Sequence, residues 1–245
     1  MKPFNIIKLS EIPSTQTFLL QEDERKVFDE YTVVYTNNQT HGRGQEKHIW
    51  ESEKEKNVLF SLLLKPTFLD PSNQFLITQM ISLAIVDTLQ SYGLEDVKIK
   101  WPNDIYVKYA KICGVLVQNK ITGLEFSNSY IGIGINVNQK KFLFAPNPTS
   151  MFLETGKETD LDIFLSDVLH NIYKRYLQLK EDELERLQSE YLSLLLFKEE
   201  RRKYIYKGKE IEAKILGVNR FGHLILESDD TVVIQCELRE LQFIL

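Results

Sequence analysis

Three strand-like runs precede and four follow one long helical pattern in the first 138 residues, and that alternation limits the folds open to the chain. Phe4–Leu9, Tyr31–Thr36 and Val58–Leu64 carry the aliphatic, β-branched and aromatic content of strands. Pro71–Tyr92 sets Leu76, Met80, Leu83, Ala84 and Val86 or Asp87 near helical spacing, with Gly93 as C-cap; Met80 and Leu83 read as core. Val97–Trp101, Cys113–Asn119, Leu124–Phe126 and Tyr130–Asn138 then return to strand character, the last three as neighbours in an antiparallel sheet.

Further on, Leu161, Phe164, Leu165, Val168, Leu169, Ile172, Tyr173, Tyr176 and Leu177 make a second strong helical pattern, and residues 181–196 continue as another helix. At Phe197–Lys203 the texture changes to a charge run. Short strands follow at Tyr204–Tyr206, Ile211–Val218, Leu224–Leu226, Val232–Ile234 and Leu238–Leu245, as in a small β-barrel or sheet of about 40 residues. A unit of that size is marginal alone and should lean on what precedes it. The expected domains are 1–196 and 197–245.

With 245 residues, 43% hydrophobic and 27% charged, the chain has the content of a globular protein with a sizeable core. A formal net charge of -5 speaks against a broad nucleic-acid surface. Cys113 and Cys236 make no CxxC pair, and His41, His48, His170 and His223 show no zinc spacing. The N-terminus lacks the apolar region of a signal peptide, and no run approaches the roughly 18 apolar residues of a membrane span. The expected compartment is the cytoplasm, with no membrane partner.

Polar chemistry gathers in a few places. Ser14 or Thr15 stands where a helix begins, able to cap it or to meet the polar edge of a ligand. Asn37–Gln45 has no apolar residue and holds Arg43 between Gly42 and Gly44, a fork of donors on a backbone that can approach a ligand closely. Trp50 follows in a polar setting, as a stacking surface or as packing over the sheet edge. Lys100-Trp101-Pro102-Asn103-Asp104 ends a strand abruptly, because proline disfavours helix for the residue before it. Lys100 and Lys111 suit phosphate charge, and Asp104 suits magnesium or a reacting oxygen. Tyr130–Asn138 alternates small and branched residues, as if its glycine face lay against something flat, and Asn136 closes the run as a hydrogen-bonding candidate. Fixed positive charge with one carboxylate fits electrostatic catalysis on a phosphate.

In combination, T-H-G-R-G-Q (Thr40–Gln45) with Trp50, K-W-P-N-D (Lys100–Asp104), K-I-C-G-V-L (Lys111–Leu116) and G-I-G-I-N-V-N (Gly132–Asn138) resemble the signature blocks of biotin protein ligases. The resemblance runs in order from about Ser14 to Asn138, and G-V-N-R-F-G-H-L (Gly217–Leu224) matches the small C-terminal domain in character. It implies an α+β fold, a mixed sheet backed by helices akin to class II aminoacyl-tRNA synthetases and lipoate ligases, plus a small C-terminal β-barrel. It also implies ATP with Mg2+ and biotin as substrates, with no tightly bound cofactor, and a biotinyl-5'-adenylate intermediate. The partner implied is a biotin carboxyl carrier protein or domain of acetyl-CoA carboxylase or another biotin-dependent carboxylase.

By the same resemblance Ser14, Thr15, Gln39 and Gly42 would meet biotin, and Arg43 its carboxylate and the adenylate phosphate. Trp50 would lie against adenine, Asn136 would hydrogen-bond it, and Asn103 would help position the nucleotide. Lys111 would contact the biotin carboxyl and α-phosphate, and Asp104 would assist the attacking lysine or the metal. Within K-W-P-N-D, Lys100 and Trp101 are expected to be largely structural. Gln45, Glu46, Lys47 and His48 depart from the family's G-R-G-R-x-G-R pattern, which bears on adenylate retention. The chain starts directly at the catalytic strand, so the expectation is an enzyme without a DNA-binding domain, and either monomer or homodimer. Lipoate-protein ligase is the rival activity, and a non-catalytic biotin-sensing module the rival of another class.

Overall fold

The computed structural model describes residues 3–44 and 49–244. Strands β1 (Asn5–Leu9), β2 (Thr32–Thr36), β3 (Asn57–Leu64), β4 (Val97–Lys100), β5 (Asp104–Val107), β6 (Ala110–Thr122) and β7 (Glu125–Asn136) form one sheet in the order β1-β2-β3-β7-β6-β5-β4. β1 and β2 run parallel and are joined by α1 (Thr15–Lys26); the other pairings of this sheet are antiparallel.

Alternation across the pleat decides the layers. Val58, Phe60, Leu62 and Leu64 of β3 and Ile131, Ile133 and Ile135 of β7 join one large apolar cluster. It is closed by α2 (Phe75–Ser91) and, after the short α3 (Met151–Thr155), by α4 (Leu161–Lys180) and α5 (Leu184–Ser193). Sandwiched between the sheet and those helices, α2 is buried nearly all round, which is why its sequence is apolar on every face. Its buried hydroxyls are satisfied within the helix: Ser82 donates to the Thr78 carbonyl and Thr88 to that of Ala84, both at 2.8 Å. On the opposite face Leu19 of α1 packs with Val34, Leu63 and Tyr130. α1 thus covers β2, β3 and the start of β7, and leaves β5, β6 and the end of β7 open on that side.

Two local expectations change. Residues 113–138 form two strands rather than three: β6 and β7 are one long hairpin whose register shifts between Lys120 and Ile121, so Leu124–Phe126 spans its tip and the start of the return strand. K-W-P-N-D is a hairpin rather than a strand exit, with Lys100 directly opposite Asp104. The Trp101–Pro102 bond is cis.

β8 (Arg201–Tyr206), β9 (Lys209–Val218), β10 (Leu224–Ser228), β11 (Val233–Cys236) and β12 (Leu241–Phe243) form the C-terminal antiparallel sheet, ordered β11-β10-β9-β8-β12. This pairing has two ends, β11 and β12, as in a small sheet domain. The charge run enters β8, where Lys203 pairs with Glu210 and Arg201 with Asp229. Tyr204, Ile215, Leu224 and Leu226 continue the core of the first sheet. Trp101 fastens the seam: its indole N–H donates to the Gly222 carbonyl at 2.9 Å. Gly222 has φ +89° and lies so close to Phe75 that a Cβ there would stand 2.5 Å from the ring. Among the described residues no helix is long and apolar enough to cross a membrane.

Candidate active site

The uncovered part of the sheet is a cavity of about 620 Å³, within the usual range for small-molecule sites. Its floor comes from the face of β6 and β7 that carries Gly114 and Leu116, Gly132, Gly134 and Asn136. The start of α1 forms one wall, β5 and the K-W-P-N-D hairpin the other, and Phe144, Ala145, Pro146 and Pro148 a third.

At the α1 wall Ser14 is the helix cap and stands at the cavity. Its hydroxyl accepts from the Thr17 amide at 3.4 Å, and the residue also lines the cavity. The amide and hydroxyl of Thr15 both donate to the Gln39 side-chain carbonyl, at 2.8 and 3.1 Å, so Thr15 and Gln39 form one polar unit. Gln16 spans from α1 to the floor: its amide donates to the Tyr130 carbonyl at 3.1 Å and its carbon chain lies over Gly132.

The opposite wall carries charge. Lys111 Nζ stands 2.7 Å from Asp104 Oδ1, each side chain about a quarter exposed. Lys100, expected to be largely structural, lies across the hairpin from Asp104 and also lines the cavity. Burial pushes its ammonium below the usual lysine value; Asp104 opposes that and Lys111 adds to it. Its Nζ lies 4.9 Å from the centre of the Phe243 ring, so the C-terminal sheet backs this wall. Burial also pushes the Cys113 thiol far up, which leaves it protonated and unsuited as a nucleophile.

Trp50 supplies the flat object that the glycine pattern called for. A Cβ at Gly114 would come within 2.8 Å of the indole, and one at Gly134 within 2.6 Å, so only glycine at both positions lets the ring lie on the sheet. Lys111 Nζ is 5.7 Å from the ring centre. The ring arrives there because the chain doubles back after Arg43: Arg43 bridges Ile49, and the Trp50 amide donates to the Gly42 carbonyl at 2.9 Å. Gly42 permits that approach, since a Cβ would stand 2.7 Å from the Trp50 carbonyl oxygen. Arg43 is exposed at the rim, with Nη1 3.3 Å from the Thr17 hydroxyl. The departure at Gln45–His48 lies outside the described residues.

Asn136 is buried at the end of β7; its amide donates to the Thr149 carbonyl at 3.0 Å, while its Oδ1 has no partner among the described residues. Ser14, Thr15, Gln39, Arg43, Trp50, Asp104, Lys111 and Asn136 thus share one cavity. Gly42 and Asn103 do not line it. Gly42 works through the Trp50 backbone, and Asn103 is buried with its amide donating to the Val115 carbonyl at 2.7 Å, so it fixes the hairpin to β6. Sequence reasoning missed Gln16, Gly114, Tyr106 and Phe144 as cavity residues. For Gly114 and Tyr106 a signal existed in their placement beside Lys111 and Asp104, which becomes visible once β5 is known to be a strand.

The cavity thus sets Trp50 and the cations Lys100 and Lys111 beside Asp104, with Arg43 at the rim and a polar cradle at the α1 wall. The chain belongs to the biotin/lipoate A/B protein ligase family, whose model matches residues 9–136. It is 31% identical over 152 residues to the bifunctional ligase/repressor BirA of Bacillus spizizenii, covering 60% of this chain and 46% of that protein. The chain therefore spans less than half the length of that relative. It is 27% identical over 233 residues to BirA of Escherichia coli, covering 93% of this chain and 71% of that one. A solved structure of the biotin protein ligase from Aquifex aeolicus in complex with biotin and ATP is similar at a TM-score of 0.79 and 25% identity, over 97% of both chains.

Proposed function

We propose that the chain is an ATP-dependent biotin protein ligase that makes biotinyl-5'-AMP and passes the biotin to one lysine of a carboxyl carrier domain. The observation that carries this reading is the Lys111–Asp104 pair, 2.7 Å apart, facing Arg43 and Trp50 across one cavity. In the first step a biotin carboxylate oxygen attacks the α-phosphorus of ATP. The new O–P bond forms as the bond to the β-phosphate oxygen breaks, and pyrophosphate leaves with the electron pair. Lys111, and Lys100 behind it, stabilise the charge that spreads over the phosphate oxygens. In the second step the carrier's ε-amine attacks the acyl carbon, AMP leaves, and Asp104 takes the amine's proton.

Ser14 and the Thr15–Gln39 unit offer polar edges for the ureido ring of biotin, with Gly42 behind them. The indole of Trp50 offers one face to adenine, and Oδ1 of Asn136, without a partner among the described residues, is an acceptor suited to its amino group. Arg43 at the rim suits the acid and phosphate together. Among the described residues no three His, Cys, Asp or Glu side chains gather for a metal. Asp104 fits magnesium of the kind that enters on ATP, held mainly by phosphate oxygens and water with one carboxylate. The acceptor is a carrier domain of acetyl-CoA carboxylase or another biotin-dependent carboxylase, and the work is done in the cytoplasm. Residues 197–245 act as a unit that backs the nucleotide side through Phe243.

The test is incubation of the full chain with labelled ATP, a carrier domain, and either biotin or lipoate, read separately for pyrophosphate and for protein labelling. Biotin should support both. Consumption of lipoate in place of biotin would make it a lipoate ligase, and binding of biotin with no AMP formed would make it a sensor.

A further inference from the structure

Glu51, next in sequence to Trp50, spends its carboxylate on backbone. Oε1 accepts from the Leu143 amide at 2.6 Å, and Oε2 from those of Phe144 and Ala145 at 3.0 and 2.8 Å. Consecutive amides converging on one point make an anion site, and here the protein fills it with its own side chain. Burial alone would raise the Glu51 carboxyl, but the amides outweigh it and hold the group below its ordinary range, so it is ionised at neutral pH. The loop so held is cavity wall: Phe144, Ala145, Pro146 and Pro148 line it. Leu143 and Phe144 are 88% and 61% exposed, so apolar packing contributes little to holding the loop at that point. Its far end is tied to the backbone of Lys111, whose N–H donates to the Asn147 carbonyl at 2.8 Å and whose carbonyl accepts from the Thr149 amide at 2.9 Å.

The loop therefore runs from the neighbour of the stacking tryptophan to the lysine at the reacting bond, and Glu51 is its fastening at the tryptophan end. We propose that Glu51 is a positioning residue that locks the 143–146 loop to Trp50, so that loop and indole bind the nucleotide as one wall. This rests on the ligase reading for the identity of the nucleotide. Glu51 also lines the cavity, but its carboxylate is taken up by the three loop amides, so it acts through the loop, and its loss should weaken ATP and spare the α1 side where the acid sits.

Full-length Glu51→Ala and Glu51→Asp are compared with the parent for ATP and biotin Kd by equilibrium titration, and for amide exchange at Leu143–Ala145. In Glu51→Ala the ATP Kd should rise about ten-fold, the loss expected when charge-assisted hydrogen bonds are removed, with biotin Kd changed less than about two-fold. Exchange protection at the three amides should be lost, and Glu51→Asp should recover part of both. An unchanged ATP Kd with the amides deprotected, or ATP and biotin weakening together, overturns the proposal. Because titration needs no turnover, a parent chain that binds ATP without releasing pyrophosphate refutes the ligase reading alone, and one that binds no ATP refutes both.

Discussion

Gly134→Ala tests the geometry on which the nucleotide side depends. The added methyl would stand 2.6 Å from both Cε2 and Nε1 of Trp50 and 3.0 Å from Cζ2. Carbon atoms pack at about 3.5–4.0 Å, so the ring would have to retreat by about 1 Å. The other end of the ring lies over Gly114, where a Cβ would come within 2.8 Å of Cζ3, so the indole rests on the floor along its length. The rigid indole must lift, and overpacking of this kind costs about 1–3 kcal/mol. Where that cost falls on the stacked nucleotide it corresponds to about a 5- to 150-fold higher ATP Kd. Titration of ATP with tryptophan emission as the signal reads both the affinity and the ring, since the other tryptophan, Trp101, is only 3% exposed. Gly217→Ala is the control, because its nearest neighbour would be Leu192 Cδ2 at an ordinary 3.9 Å. A Gly134→Ala protein with parental ATP affinity and unaltered emission would show that the glycines do not seat the indole.

Other expectations are independent of that one. Lys111→Ala should cut pyrophosphate release on the order of 100-fold or more while leaving the melting temperature nearly unchanged, since a partly exposed ion pair contributes about 0–1 kcal/mol; parental release by the purified variant would remove Lys111 from the chemistry. Arg43→Ala should let the adenylate escape and raise labelling of bystander proteins, and a blot without extra bands counts against a retaining role. Trp101→Phe removes the donor to the buried Gly222 carbonyl and should lower unfolding stability by about 1–3 kcal/mol in a urea titration; an unshifted midpoint would mean the seam does not rest on that bond. The Glu51 carboxyl is depressed on folding, so its contribution is present above 4.5 and is lost as pH falls through its lower folded value. The melting difference between the parent and Glu51→Gln should therefore be present at neutral pH and shrink below that point, and a difference that persists under strongly acid conditions would refute it.

Much of the site was legible because its chemistry is carried by short runs. K-W-P-N-D, G-R-G and the glycine strand are local patterns, and their residue types restrict what they can do whatever surrounds them. The long apolar helix was equally plain, since a helix buried on all sides must be apolar on all sides. β5 was not legible: four residues after a proline hardly differ from a loop until Lys98 and Lys100 lie beside them as partners. That omission hid Tyr106, which reaches the cavity, like Lys100, only because the hairpin folds it onto the same face as Asp104 and Lys111.

The sequence by itself narrowed the class of chemistry, because a lysine, a carboxylate, an arginine between glycines and an asparagine closing a glycine strand have few uses together, and it laid out most of the strands and helices along the chain. The tertiary structure alone decided that Asn103 and Gly42 support the site from behind, that Trp50 lies on Gly114 and Gly134, and that Glu51 reaches across 92 residues of chain to hold a wall. The physical reason is that residue type and local spacing encode what a group can do and which way the nearby backbone runs. Whether its polar atoms face a ligand or a neighbouring amide is settled only by which distant segments pack beside it.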